Sequence, residues 1–178
     1  RSNNEIIDIL RSAFCGSKNN PVLLPYSDAA AAVLDQNYEE LQKSFILPGL
    51  GGRQGEIYRM MDKGRQVQFA KECGFPMAQS YELALPAEEL PEDLLYPCIV
   101  KPIVSCEGSK KDIRKLGDAA SLKSYLQELS ARGYSRILVQ EYLQIDAEYD
   151  IEGFLHGDST TYFVSEKVRT WPEVGGPT

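Results

Sequence analysis

Two lysines, a loop of small residues and two carboxylates occur in a fixed order along the middle of the chain. Asp62-Lys63 comes first, then Cys98-Ile99-Val100-Lys101-Pro102, then Val104-Ser105-Cys106-Glu107-Gly108-Ser109-Lys110-Lys111. Last come Val139-Gln140-Glu141-Tyr142-Leu143 and, a few residues on, Glu148. These residue types suit a polyphosphate nucleotide. Its phosphates carry several negative charges, which cations and backbone N–H groups can hold. Lysines on separate elements act as point charges. Gly and Ser let main-chain amides approach phosphate oxygens closely. An extended segment can offer a base one backbone donor and one acceptor, and a carboxylate such as Glu148 can accept from ribose hydroxyls. Taken singly, Lys63 also reads as an exposed lysine at a helix start, Lys101 as a solvated strand-end residue, and Glu141 and Glu148 as surface carboxylates.

The elements that must position these groups follow from periodicity. Residues 5–14 have helical spacing, with Ile6, Ile9, Leu10 and Ala13 on one side. Pro21-Val22-Leu23-Leu24-Pro25 reads as a short buried strand, and Ser27-Asp28 as the cap of a helix running from Ala29 through Leu41 or beyond. Pro48-Gly49-Leu50-Gly51-Gly52 breaks the pattern. A helix is expected over 62–73, with Val67, Phe69, Ala70 and Cys73 apolar, and it ends at Gly74 before Pro76. Pro86 through Pro97 is rich in prolines and acids and is expected to be exposed. Strands are expected over 98–102 and 137–143, and an amphipathic helix over 119–132 with Leu122, Tyr125, Leu126 and Leu129 on one face. From Glu148 to Val168, alternation on either side of His156-Gly157-Asp158-Ser159 predicts a β-hairpin.

The ordered set resembles the ATP-grasp superfamily. The residues that carry the likeness are Met61-Asp62-Lys63, Ala70 with Gly74-Phe75-Pro76, Tyr96-Pro97-Cys98-Ile99-Val100-Lys101-Pro102, Gly108-Ser109, and Val139 to Leu143 followed by Glu148-Tyr149-Asp150-Ile151. The resemblance implies an α+β chain: a partial ATP-grasp fold over residues 51–178, preceded by part of an α/β pre-ATP-grasp domain over 1–50. Within the module it implies a first part at 51–91, a lid at 92–140 and the start of a large third part at 141–178. It implies ATP as ligand. Lys63 and Lys101 would contact phosphate, and Ser105, Gly108 and Ser109 would lie in a phosphate-covering loop. Lys110-Lys111 stands where the family usually has a second glycine, so Lys111 would add a phosphate contact or stiffen that loop. Glu141 would accept from the adenine amino group, backbone groups of Tyr142 and Leu143 would read the base, and Glu148 would hold the ribose. The implied function is the ATP-binding portion of a ligase that activates a carboxylate as an acyl phosphate for attack by an amine. The alternative is a nucleotide-binding regulatory or scaffolding module without catalysis. Magnesium is the implied metal. The family's Glu-x-Asn metal motif does not occur in the sequence, so no residue here is assigned to the metal or to catalysis, and those ligands are expected after Thr178.

Composition narrows the classes further. The 178 residues hold 19 Lys and Arg against 26 Asp and Glu, a net charge of −7, which argues against a sequence-independent nucleic-acid binder. No apolar run reaches the roughly 20 residues that span a bilayer, so no membrane partner is expected. Cys15, Cys73, Cys98 and Cys106 lack paired metal-ligand spacing, and the single His156 cannot complete a site with them. Free thiols point to the cytoplasm. The chain starts with Arg1 and is expected to be a window through a larger protein. The expected partners are ATP and a small carboxylate–amine pair, with a homodimer left open. Lys167 and Arg169 are expected to pair with acids rather than reach phosphate, and Trp171 to pack.

Overall fold

The computed structural model describes residues 3–14, 18–104, 106 and 110–168. Helix α1 (Asn3–Phe14) places Ile7 in a small core with Val33, Leu34, Leu41 and Phe45, joined by Leu10, Leu23 and Leu47. Ser27 caps α2 (Asp28–Gln36) by accepting from the Ala30 amide at 3.2 Å. The helix does not run unbroken to Leu41. At Asn37 the side-chain amide donates to the Val33 carbonyl at 2.8 Å, a local bond that competes with the helical ladder. α3 (Tyr38–Leu41) starts afresh after it. The buried strand expected at 21–25 is also absent. Prolines at both ends remove ladder donors, leaving a parallel bridge between Val22 and Ile46, with Val22 and Leu24 exposed.

α4 (Glu56–Met60) is tied to α2 by Asp35, whose buried carboxylate accepts from the Tyr58 amide at 2.8 Å. α5 (Lys63–Glu72) is capped by Asp62, which accepts from the Arg65 amide at 3.1 Å. Its expected apolar face is not in the core: no residue of α5 is buried, and Phe69 and Cys73 are exposed.

Four strands then form one antiparallel sheet in the order β1-β4-β2-β3: β1 (Ser80–Ala84), β2 (Cys98–Pro102), β3 (Arg114–Leu116) and β4 (Arg136–Glu141). α6 (Ala119–Ala131) covers one face. Leu122, Tyr125, Leu126 and Leu129 from the helix close on Cys98, Val100, Leu116, Ile137 and Val139 from the strands. The 86–97 connection is less exposed than its composition suggests, because Leu94 is buried in this core and Leu90 packs against it. A short 3₁₀ turn, Lys110–Asp112, leads into β3. β5 (Tyr149–His156) and β6 (Ser159–Glu166) form a separate hairpin across a two-residue turn, where Gly157 takes φ +56°. No helix among the described residues is long and apolar enough to cross a membrane.

Candidate functional site

Strand alternation gives the four-stranded sheet two unlike faces. Cys98 and Val100 of β2 and Ile137 and Val139 of β4 turn toward α6. Ile99 and Lys101, Leu138 and Gln140, and Lys115 of β3 therefore turn the other way, as do Ser80 and Glu82 of β1. On this second face the Lys101 ammonium donates to Gln140 Oε1 at 3.0 Å. Gln140 Nε2 donates to Ser80 Oγ at 2.8 Å, and Ser80 Oγ donates to the Ala78 carbonyl at 2.8 Å. The Lys115 ammonium lies 3.8 Å from the centroid of the Tyr142 ring.

The chain beyond β2 fastens the start of α5 to this face. The Lys63 amide donates to the Ile103 carbonyl at 2.8 Å, and Asp62 bridges to Val104. Arg136 of β4 clasps the same corner, donating to Asp62 Oδ2 at 3.1 Å and Glu82 Oε1 at 2.5 Å. The two carboxylates raise the pKa of its guanidinium above the ordinary value, the bond to Glu82 contributing most. Space beside Lys63 is tight: a Cβ on Gly64 would stand 2.7 Å from Glu82 Oε2 and 3.1 Å from Asp62 Oδ1, so those side chains would have to shift.

This packing brings Lys63 and Lys101 into electrostatic reach of each other. Burial, and then the charge of Lys101, push the Lys63 pKa down, while Asp28, Asp62 and Cys106 oppose the shift. Burial also lowers the Lys101 pKa, against the pull of Glu148. Two ammonium groups held near one another with part of their water removed are electrostatically unfavourable, and an anion between them relieves both costs. Glu148 approaches the site from the segment before β5. There Lys167 holds it at 2.6 Å and reaches Asp150 at 3.4 Å, so Lys167 pairs with acids as expected. The bond to Glu148 is the main cause of the raised Lys167 pKa.

The remaining expected site residues are arranged less simply. Glu141 ends β4 with its carboxylate accepting from the Gln79 amide at 3.3 Å, and its register partner Cys98 faces the core rather than Lys101. The Tyr142 amide donates to the Pro97 carbonyl at 3.0 Å, which holds the segment beyond β4 against the start of β2. Leu143 is half exposed and Lys111 is exposed. Ser105, Gly108 and Ser109 lie outside the described residues, as do Cys15, Arg169 and Trp171. The cations that follow the loop turn two ways. Lys115 shares the face of Lys101, but Arg114 lies over Tyr125 of α6, 4.2 Å from its centroid, and reaches Glu128 at 3.7 Å. His156 sits at the hairpin turn, stacked on Phe154. Sequence reasoning passed over Gln140 and Ser80. Their signal is positional: Gln140 is a polar residue on the Leu138 face of β4, next to the apolar run Ile137-Leu138-Val139.

Among the described residues no three His, Cys, Asp or Glu side chains converge to hold a metal ion. No residue described is assigned to magnesium, and no step below runs through one.

Comparison with known proteins shows what this fold is similar to. No protein-family model matches the chain. It is 32% identical over 97 residues to formate-dependent phosphoribosylglycinamide formyltransferase from Pseudomonas aeruginosa, a match covering 52% of this chain and 24% of that one. The same enzyme from Pseudomonas fluorescens is 29% identical over 72 residues, 40% of this chain and 18% of that one. The match thus spans about a quarter or less of the curated relatives' length. Among solved structures, an L-amino acid ligase from Bacillus licheniformis superposes with a TM-score of 0.67 at 17% identity, over 94% of this chain and 37% of that one. D-alanine–D-alanine ligase from Bacillus anthracis complexed with ATP superposes with a TM-score of 0.59 at 18% identity, over 93% and 57%. In fold the chain resembles these ATP-grasp ligases.

Proposed function

We propose that the chain carries the nucleotide-gripping portion of an ATP-dependent ligase. The observation that carries this reading is the pair Lys63 and Lys101. They come from different elements, are each partly buried, and lie close enough that the charge of one depresses the pKa of the other. Asp28, Asp62 and Glu148 offset part of the cost of such a pair, and a bound polyphosphate would offset more.

In this reading Lys63 and Lys101 neutralise the phosphates, and Ser105, Gly108, Ser109 and Lys111 contribute from the connecting loop. Glu141, Tyr142 and Leu143 form the adenine edge, and Glu148 takes the ribose by giving up part of its pairing with Lys167. The chemistry served is transfer of the γ-phosphoryl group to a substrate carboxylate, giving an acyl phosphate and ADP. An amine then attacks the acyl carbon and expels phosphate. The chain's own share is positioning and charge neutralisation.

Calorimetric titration with ATP tests the reading on the parent chain, Lys63→Ala and Lys101→Ala. Each substitution is expected to weaken ATP at least about tenfold, a loss of about 1.4 kcal/mol. If both variants bind ATP as tightly as the parent, the assignment is wrong.

A further inference from the structure

We propose that Gln140 is a positioning residue: with Ser80 behind it, it aims the Lys101 ammonium on the sheet face opposite α6. This rests on the nucleotide reading above and deepens it.

The argument follows hydrogens along three cross-strand neighbours. Ser80 lies directly opposite Gln140 in the β1–β4 pair, and Lys101 is the diagonal neighbour of Gln140 across β4 and β2. The Ser80 hydroxyl has one hydrogen, and it is spent on the Ala78 carbonyl. Toward Gln140, Ser80 Oγ can therefore only accept, so the amide must present Nε2 to it. Once Nε2 is committed there, Oε1 is the atom that faces Lys101. The reversed amide would set its NH₂ against an ammonium and its oxygen against a hydroxyl with no hydrogen to give. A main-chain carbonyl thus decides, two side chains away, which atom meets the lysine.

Two features suit this to an anion site. Gln140 holds one of the three ammonium hydrogens and leaves two to point outward. It is also neutral, so it orients Lys101 without cancelling its charge. A carboxylate here would hold the ammonium more tightly and compete with phosphate. Leu138, directly opposite Lys101, offers no polar alternative.

The experiment measures ATP and adenosine affinities on the full chain for the parent, Gln140→Leu, Gln140→Glu, Ser80→Ala and Lys101→Met. Gln140→Leu is expected to weaken ATP about fivefold to tenfold and to leave adenosine within about twofold, since adenosine carries no phosphate for Lys101 to meet. Gln140→Glu, nearly the same in shape, is expected to weaken ATP at least as much. Ser80→Ala, which frees the amide to turn over, falls between the parent and Gln140→Leu. A melting curve on each variant confirms folding, and the near-isosteric glutamate variant carries the test if the leucine variant does not fold. The proposal is overturned if ATP and adenosine weaken together, or if Gln140→Glu binds ATP as the parent does. If Lys101→Met itself binds ATP like the parent, it is the nucleotide reading that has failed. Loss in Lys101→Met with no change in the Gln140 and Ser80 variants sinks this inference alone.

Discussion

The described residues form two antiparallel sheets in very different surroundings. In the four-stranded sheet Cys98, Val100, Ile137 and Val139 have no accessible surface, nor do Leu122 and Leu129 of the helix that covers them. In the β5–β6 hairpin Ile151 is 73% exposed, Phe154 71% and Tyr162 66%. The hairpin sequence is no less strand-like, with Ile151, Phe154, Leu155, Tyr162, Phe163 and Val164 among its eight cross-strand pairs. Strand-forming residues therefore specify the strand, and a covering layer specifies the core. A two-stranded ribbon has no third strand or helix to bury its face, and such ribbons are marginal alone. The four-stranded sheet is itself two-sided. The face under α6 holds the apolar core, and the opposite face, where Leu138 is buried too, carries the partly buried Lys101.

The largest effect that would sharpen this contrast lies under α6. Leu129→Ala removes a fully buried side chain from the helix–sheet contact and is expected to cost about 2–5 kcal/mol in denaturant unfolding. A loss below about 1 kcal/mol would mean the site collapses and the core is looser than it looks. Next comes Asp112, buried at the lead-in to β3. Its carboxylate accepts from Arg132 at 2.7 Å and from Tyr134 at 2.5 Å, while its carbonyl accepts from the Tyr125 hydroxyl at 3.0 Å. Asp112→Asn keeps the shape and removes the charge, and is expected to cost on the order of 2 kcal/mol. An unchanged melting point would show that these bonds do not hold β3 to the helix.

The parts legible in the sequence are those where one local signal suffices. Strand 98–102 and the core face of α6 follow from short-range spacing, and so does the turn at Gly157-Asp158. What escaped depends on distant partners. β3 spans three residues and exists because Val100 and Cys98 lie alongside it. β1 alternates only once its pairing with β4 is known. The apolar run at 21–25 misled because proline ends deny it a ladder. At the site, Lys63 and Lys101 are legible as cations in order, but their proximity is made by Asp62, Val104 and Arg136, which close a corner far apart in sequence. Gln140 was invisible because a search for charge passes over the neutral group that orients it.

The smallest expected effect is the most direct test of the contrast, because one substitution can be made in both sheets. Val139→Thr and Val164→Thr each exchange a methyl for a hydroxyl on a β-branched side chain, so strand propensity scarcely changes. Val139 has no exposed surface, and its new hydroxyl is expected to cost about 1–3 kcal/mol for want of a partner. Val164 is 55% exposed and pairs across the hairpin with Ile151, so there the change is expected to stay within about 0.5 kcal/mol. Amide exchange should follow the same line, slow along β2 and β4 and fast along β5 and β6. If Val164→Thr costs as much as Val139→Thr, the hairpin face is covered in solution. Burial would then be shared by both sheets, and the contrast between them would fail.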